Sequence, residues 1–158
     1  MRNILLTERQ TKQPIDSEII AISGIDLATI IINNNFGFNW KREIEHDLFA
    51  IRILANNKIV GLMALKDFKS ESRIQIMLLE SSKENIGALK LYDNIAGCLI
   101  AFACNIAILN KYQGFVSLIP KTILIEHYKK NYGFVEFGRQ IMVDSEISRE
   151  LVKKYLNG

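Results

Sequence analysis

Cysteine is scarce in this chain: Cys98 and Cys104 are its only two among 158 residues. Six positions apart on one predicted helix, they point from different faces, so no disulfide joins them and none holds the fold together. Metal-ligand spacing is missing as well, since His46 and His127 stand alone. Charge of one sign is not in excess. A net charge of +3 tolerates an anionic cofactor but lacks the clustered basic face of a nucleic-acid binder, so no nucleic-acid partner is expected. The N-terminal residues show no secretory apolar segment, so a cytoplasmic chain is expected. The longest apolar run, 95–109, is interrupted by Gly97 and Asn105 and falls short of the roughly 18–20 residues that cross a bilayer, so no membrane association is expected. A helix apolar all round is then a core helix, covered on several sides.

What remains is ordinary globular composition, 49% apolar and 23% charged, enough for one domain over residues 1–158. Residues 1–18 are polar and turn-rich and read as an irregular arm. Residues 19–35 are isoleucine-rich; periodicity leaves strand and helix open there, with Asp26 a possible cap for a helix over 27–32. Phe36, Phe38 and Trp40 form either a packing lid or a substrate wall, and packing is the preferred reading. A hairpin is predicted for 48–54 and 59–65 around Asn56-Asn57, because asparagine tolerates the positive φ of tight turns. The segment 74–79 is apolar on both faces, as a central strand requires.

Beyond the 95–109 helix, a strand is predicted over 115–119, and Pro120 suits the first turn of the next helix. Gly133 ends that helix, strands 135–137 and 140–143 follow, and a last helix occupies 145–156. In that helix Ile147, Leu151 and Tyr155 share a face, with Glu146 and Glu150 early and Lys153 and Lys154 late, matching its dipole. The series defines an α/β domain with a mixed sheet flanked by helices and an extra C-terminal helix. Cys98, near a helix start, is either a reactive thiol or a small buried one, and burial is preferred.

The segment most suggestive of chemistry runs from the 74–79 strand through Asn85, Gly87 and Lys90 into Asn94-Ile95-Ala96-Gly97. A strand feeding a helix whose start is wrapped in small and amide-bearing residues offers free N–H groups and a positive dipole end to a phosphate. A nucleotide-type cofactor is the corresponding expectation.

Over residues 48–143, this layout resembles the GNAT superfamily of acyl-CoA-dependent N-acetyltransferases. Asn94-Ile95-Ala96-Gly97-Cys98-Leu99-Ile100 takes the place of the family's Gly-x-Gly/Ala-x-x-Leu-Leu, with Ala96 on the second small position. Asn94 replaces the first glycine, Leu91 stands where Arg or Gln is usual, and the loop after Glu80 is longer than typical; Lys90 is positioned to supply the missing charge. Tyr128-Lys129-Lys130-Asn131-Tyr132-Gly133-Phe134 is similar to Tyr-x-x-x-Gly-Phe with one extra residue, and Lys121 stands where many members have Asn.

The resemblance implies direct transfer of an acetyl group from acetyl-CoA to an amine, either of a small molecule or of a protein. Glu80 is the implied general base, and Tyr128 the implied general acid, with Tyr132 the alternative. A strand amide near Leu79 is expected to serve the oxyanion. Acetyl-CoA is expected at Leu78, Leu79, Lys90, Asn94, Ile95, Ala96, Gly97 and Lys121, in a gap between the 74–80 and 115–119 strands, without a metal. The alternative reading is a non-catalytic acyl-CoA-binding or protein-interaction module on the same scaffold. The N-terminal arm and C-terminal helix either form a homodimer contact or cover the sheet.

Overall fold

A computed structural model describes residues 1–120 and 124–156. Its nine strands are β1 (Arg2–Glu8), β2 (Pro14–Ile22), β3 (Asp47–Ile53), β4 (Ile59–Phe68), β5 (Arg73–Ser81), β6 (Tyr92–Asp93), β7 (Val116–Leu118), β8 (Val135–Phe137) and β9 (Gln140–Val143). They form one sheet in the order β6-β1-β2-β3-β4-β5-β7-β9-β8. Among the described residues only β5 and β7 run parallel. The helices are α1 (Gly24–Ile32), α2 (Ile95–Leu109), α3 (Ile125–Tyr132) and α4 (Ser145–Leu156). The mixed sheet and the added C-terminal helix agree with the α/β expectation, as do the hairpin β3–β4 and the helix at 95–109.

Residues 1–18 are a correction. They are not an irregular arm: β1 and β2 form a hairpin that pairs Arg2 with Ile19 through Thr7 with Pro14, and β2 continues the sheet onto β3. Ile4 and Leu6 are buried while Leu5 is exposed, the alternation of a strand with one wet face. Its polar residues suit a position near the sheet edge, where only one side is buried. Ser23 caps α1 and Asp26 closes the capping box, each side chain bonding the other residue's backbone N–H at 3.0 Å. Asp26 is therefore the third residue of a helix that starts earlier than 27.

Two apolar layers enclose the sheet. On one face α2 is buried between β4, β5 and α4, within a core that includes Leu6, Ile76, Leu99, Phe134 and Val143. The other face packs Leu27, Phe36 and Trp40 onto Leu48, Leu62 and Ala64. The aromatic trio thus divides: Phe36 and Trp40 are core, and Phe38 stays partly exposed.

One irregularity in β5 shapes the cleft. Ala64 pairs with Leu78 but Leu65 pairs with Ile76, so Met77 is an extra residue, a β-bulge. Beyond it the side chains change faces: Met77 and Leu78 both lie on the Trp40 side and Leu79 returns to the α2 side. A bulge bends and twists its strand. The parallel pairing with β7 ends at Ile76–Leu118, one residue before Met77. Past that point β5 continues without β7, and the sheet opens.

Candidate acyl-CoA site

A cavity of about 840 Å3 occupies the opening. Leu79, Glu80 and Ser81 of β5 form one wall, Asn94, Ile95 and Ala96 the start of α2, and His127, Tyr128, Asn131 and Tyr132 the α3 wall. Phe38 reaches it from the connection between α1 and β3, Lys12 from the β1–β2 turn, and Lys154 and Tyr155 from α4. Expected residues that do meet here are Leu79, Glu80, Lys90, Asn94, Ile95, Ala96 and Tyr128. Leu78 does not, since the bulge turns its side chain into the Trp40 core. Gly97 is buried beneath Tyr155, with a Cβ at that position falling 2.4 Å from the ring's Cε1. Lys121 lies outside the described residues.

The helix start is open to the cavity. Cys98 N–H makes the first intrahelical bond, to the Asn94 carbonyl at 2.9 Å, and the N–H groups of Ile95 and Ala96 before it have no acceptor among the described residues. Asn94 itself has φ 79°, in the left-handed region. This explains why asparagine stands where the resembled motif has glycine: the position demands a positive φ, which asparagine adopts more readily than other side-chain-bearing residues.

Cations surround this opening. Lys90 pairs with Asp93 at 3.3 Å, so its charge is shared. Lys12 and Lys154 have no carboxylate partner among the described residues, and Lys154 Nζ lies 5.1 Å from the centre of the Tyr155 ring. Sequence reasoning missed both as site residues. They come from opposite ends of the chain, and Lys154 reads there as a helix-dipole partner; only the hairpin and α4 packing carry them to one mouth.

Glu80 is buried and its carboxylate is engaged. Gly37 N–H donates to Oε2 at 2.6 Å, while Phe38 N–H and Trp40 Nε1–H donate to Oε1 at 3.1 and 2.8 Å. A carboxylate offers about four acceptor sites, so three are already filled by the 37–40 loop. Tyr128 differs: its hydroxyl has no partner among the described residues, and burial pushes its pKa above the ordinary tyrosine value. Tyr132 shares the wall and is also pushed up, chiefly by burial, with its ring 6.1 Å from that of Tyr128 and 6.3 Å from that of Tyr155. Both thiols lie buried in the helix and are raised to about 12 by desolvation, so Cys98 is the inert alternative rather than a reactive one. Among the described residues no cluster of potential metal ligands exists, and no helix is long and apolar enough to cross a membrane.

No protein-family model matches the sequence, and no curated protein matches it. Solved structures do match. An IAA acetyltransferase from Bacillus cereus ATCC 14579 superposes over 77% of this chain and 79% of its own, at a TM-score of 0.57 and 11% identity. An N-acetylglutamate synthase from Neisseria gonorrhoeae, complexed with coenzyme A and N-acetyl-glutamate, covers 76% of this chain and 29% of its own, at 0.54 and 14%. Tetrahymena GCN5 covers 91% and 96%, at 0.52 and 9%. At such identities the likeness is one of architecture, and it defines the class: this chain has the GNAT acetyltransferase fold.

Proposed function

We propose that this chain is an N-acyltransferase that moves an acyl group, acetyl foremost, from acyl-CoA to an amine. The carrying observation is the conjunction at one cavity of a bulged β5 that has parted from β7 and an amide-lined start of α2. The CoA-bound structural neighbour supports the donor class. The diphosphate is placed at the N–H groups of Ile95 and Ala96, with Lys12, Lys90 and Lys154 offsetting its charge. The thioester then lies along β5.

An amine acceptor of pKa about 10.4 enters mostly protonated, and freeing its lone pair at pH 7 costs about 4–5 kcal/mol. The amine nitrogen attacks the thioester carbonyl, and a β5 amide past Ile76, where β7 no longer pairs, stabilises the oxyanion. As the C–S bond breaks, Tyr128 donates its free O–H to the sulfur, and the nitrogen's surplus proton leaves through water. Glu80 enters this scheme in a capacity other than the implied base. It is a positioning residue that holds Phe38 against the cavity, and so shapes the acceptor wall.

The engaged Glu80 carboxylate also favours a second reading, a non-catalytic acyl-CoA-binding module. Thermal unfolding with and without acetyl-CoA tests the shared premise. Ligand at about 100 times its Kd should add about 2.7 kcal/mol, a rise of several degrees for a chain of this size. No rise rejects both readings. A rise with acyl release to an amine panel supports the enzyme, and a rise without it the binding module.

A further inference from the structure

Helix α1 is apolar on nearly every side, and among the described residues only one of those sides is covered. Leu27 is fully buried, and Ile30 and Ile31 pack beside it in the layer that holds Trp40. The opposite side carries Ile25, Ala28, Thr29 and Ile32, all exposed, the two isoleucines at 81% and 79%. These four recur at i, i+3, i+4 and i+7 and so form one continuous stripe. Ile44, also exposed, extends the stripe at the Gly24 end, where its Cγ2 lies 3.0 Å from the place a Cβ would take on that glycine.

The stripe offers little to water. It carries no charge, and the helix's one charged residue, Asp26, is tied to the Ser23 N–H. Thr29 Oγ1 donates back to the Ile25 carbonyl at 3.2 Å, so the stripe's hydroxyl is already engaged by its own helix. Helix α4 is different, since it exposes Glu146, Arg149, Glu150 and Lys153. Single apolar residues on a surface are ordinary, but a contiguous uncharged stripe marks a contact.

The layout of the stripe selects its partner. Side-chain size runs large, small, small, large, and reads the same from either end about the midpoint of residues 28 and 29. A two-fold contact needs such a self-complementary surface, in which residue i meets j and j meets i. An antiparallel copy of α1 satisfies it. Ile25 packs beside the partner's Ile32 at each end, and Ala28 and Thr29 let the two backbones approach at the centre. Charge agrees with this orientation. The last turn of α1 holds no basic residue to offset the negative end of its dipole, and an antiparallel copy brings the positive start of its own helix there.

We propose that α1 is a homodimer interface, in which two copies of this chain pack antiparallel through Ile25, Ala28, Thr29 and Ile32. A nine-residue helix is about 14 Å long, and a contact of that extent falls below about 1,200 Å2 of buried surface, the class of weak, reversible pairs. The dimer therefore forms as concentration rises and is not permanent.

Sedimentation velocity of the full chain, from micromolar to near-millimolar concentration, tests this. The mass should rise from 18.1 kDa towards twice that value. Ile25→Glu and Ile32→Glu change exposed positions, so melting should be unchanged, while each should weaken dimerisation about tenfold or more because it occurs twice in the dimer. Orientation is read by oxidative cross-linking, since the native thiols are buried. Ile25→Cys mixed with Ile32→Cys should link to each other faster than either links to itself. A monomer throughout the range, a dimer indifferent to both glutamate variants, or faster like-with-like links overturns the proposal. A monomer that instead co-sediments with phosphatidylglycerol vesicles, and ceases to do so as Ile32→Glu, assigns the stripe to a lipid surface and overturns it as well.

Discussion

Glu80 and Tyr128 face one cavity, yet only one has its polar group free. The three donors on Glu80 make it the tie between β5 and the 37–40 loop. Glutamine presents one acceptor oxygen and one donor nitrogen, so it cannot serve Gly37 together with Phe38 and Trp40. Glu80→Gln is therefore expected to destabilise the fold by about 1–3 kcal/mol. It should also shift the emission of Trp40, the only tryptophan and now buried, to longer wavelength, and raise the acceptor KM more than it lowers kcat. Unchanged emission and melting with a collapsed kcat would return Glu80 to the role of base. For Tyr128 the sign follows from burial: its folded pKa is raised, so the phenol remains neutral from pH 7 to beyond about 10. Its stabilising contribution is complete below about pH 10 and is lost as pH rises through the folded value. The alkaline limb of the pH–rate profile should accordingly lie above pH 10, and Tyr128→Phe should lose about 100-fold in kcat. A loss of that size in Tyr132→Phe alone would move the acid to Tyr132.

The start of α2 is the element on which donor binding turns, and two of its residues are constrained for different reasons. Asn94 is constrained by its own backbone, at φ 79°. Asn94→Gly should be tolerated, whereas Asn94→Ala should cost about 1–2 kcal/mol. Gly97 is constrained by α4, because its missing Cβ is what lets Tyr155 lie flat against the helix. Alanine would gain about 1 kcal/mol in helix propensity but must displace the ring, an overpacking cost of about 1–3 kcal/mol. Chemical denaturation should show Gly97→Ala less stable than wild type, and the order should reverse in a Tyr155→Ala background. No reversal would mean that Gly97 answers to something other than the ring. The same contact gives α4 a place in the fold: it covers the apolar helix and brings Lys154 to the cavity.

Across the whole molecule, α2 is sealed between the sheet and α4, and its two thiols report on that seal. Burial pushes both Cys98 and Cys104 up to about 12, so at pH 8 each is protonated as well as covered. A native sample should leave an aromatic disulfide reagent unreacted, and denaturant should release two thiols per chain. One thiol reacting quickly in the native state would show that α4 detaches, since Cys98 lies 3.7 Å from the Tyr155 carbonyl at that interface.

Much of this fold was legible along the chain. The apolar run at 95–109, the Asn56-Asn57 turn and the helix stop at Gly133, which has φ 77°, are local signals, set by side-chain pattern and backbone preference within a few residues. The family resemblance read on the chain implied a shared site for Leu79, Glu80, Asn94 and Tyr128, and these four line one cavity. Three things required the tertiary structure. Residues 1–18 join the sheet because partners on β3 and β6 complete their pairing, which no short polar window displays. The bulge at Met77 exists only as a mismatch between two strands, and it opens the cleft. Glu80 reads as a free carboxylate at a strand end until a loop some 40 residues earlier folds over it and fills its lone pairs. Local preferences act over one turn or one strand, whereas register and the partners of a buried charge depend on which distant backbone arrives, and only packing decides that.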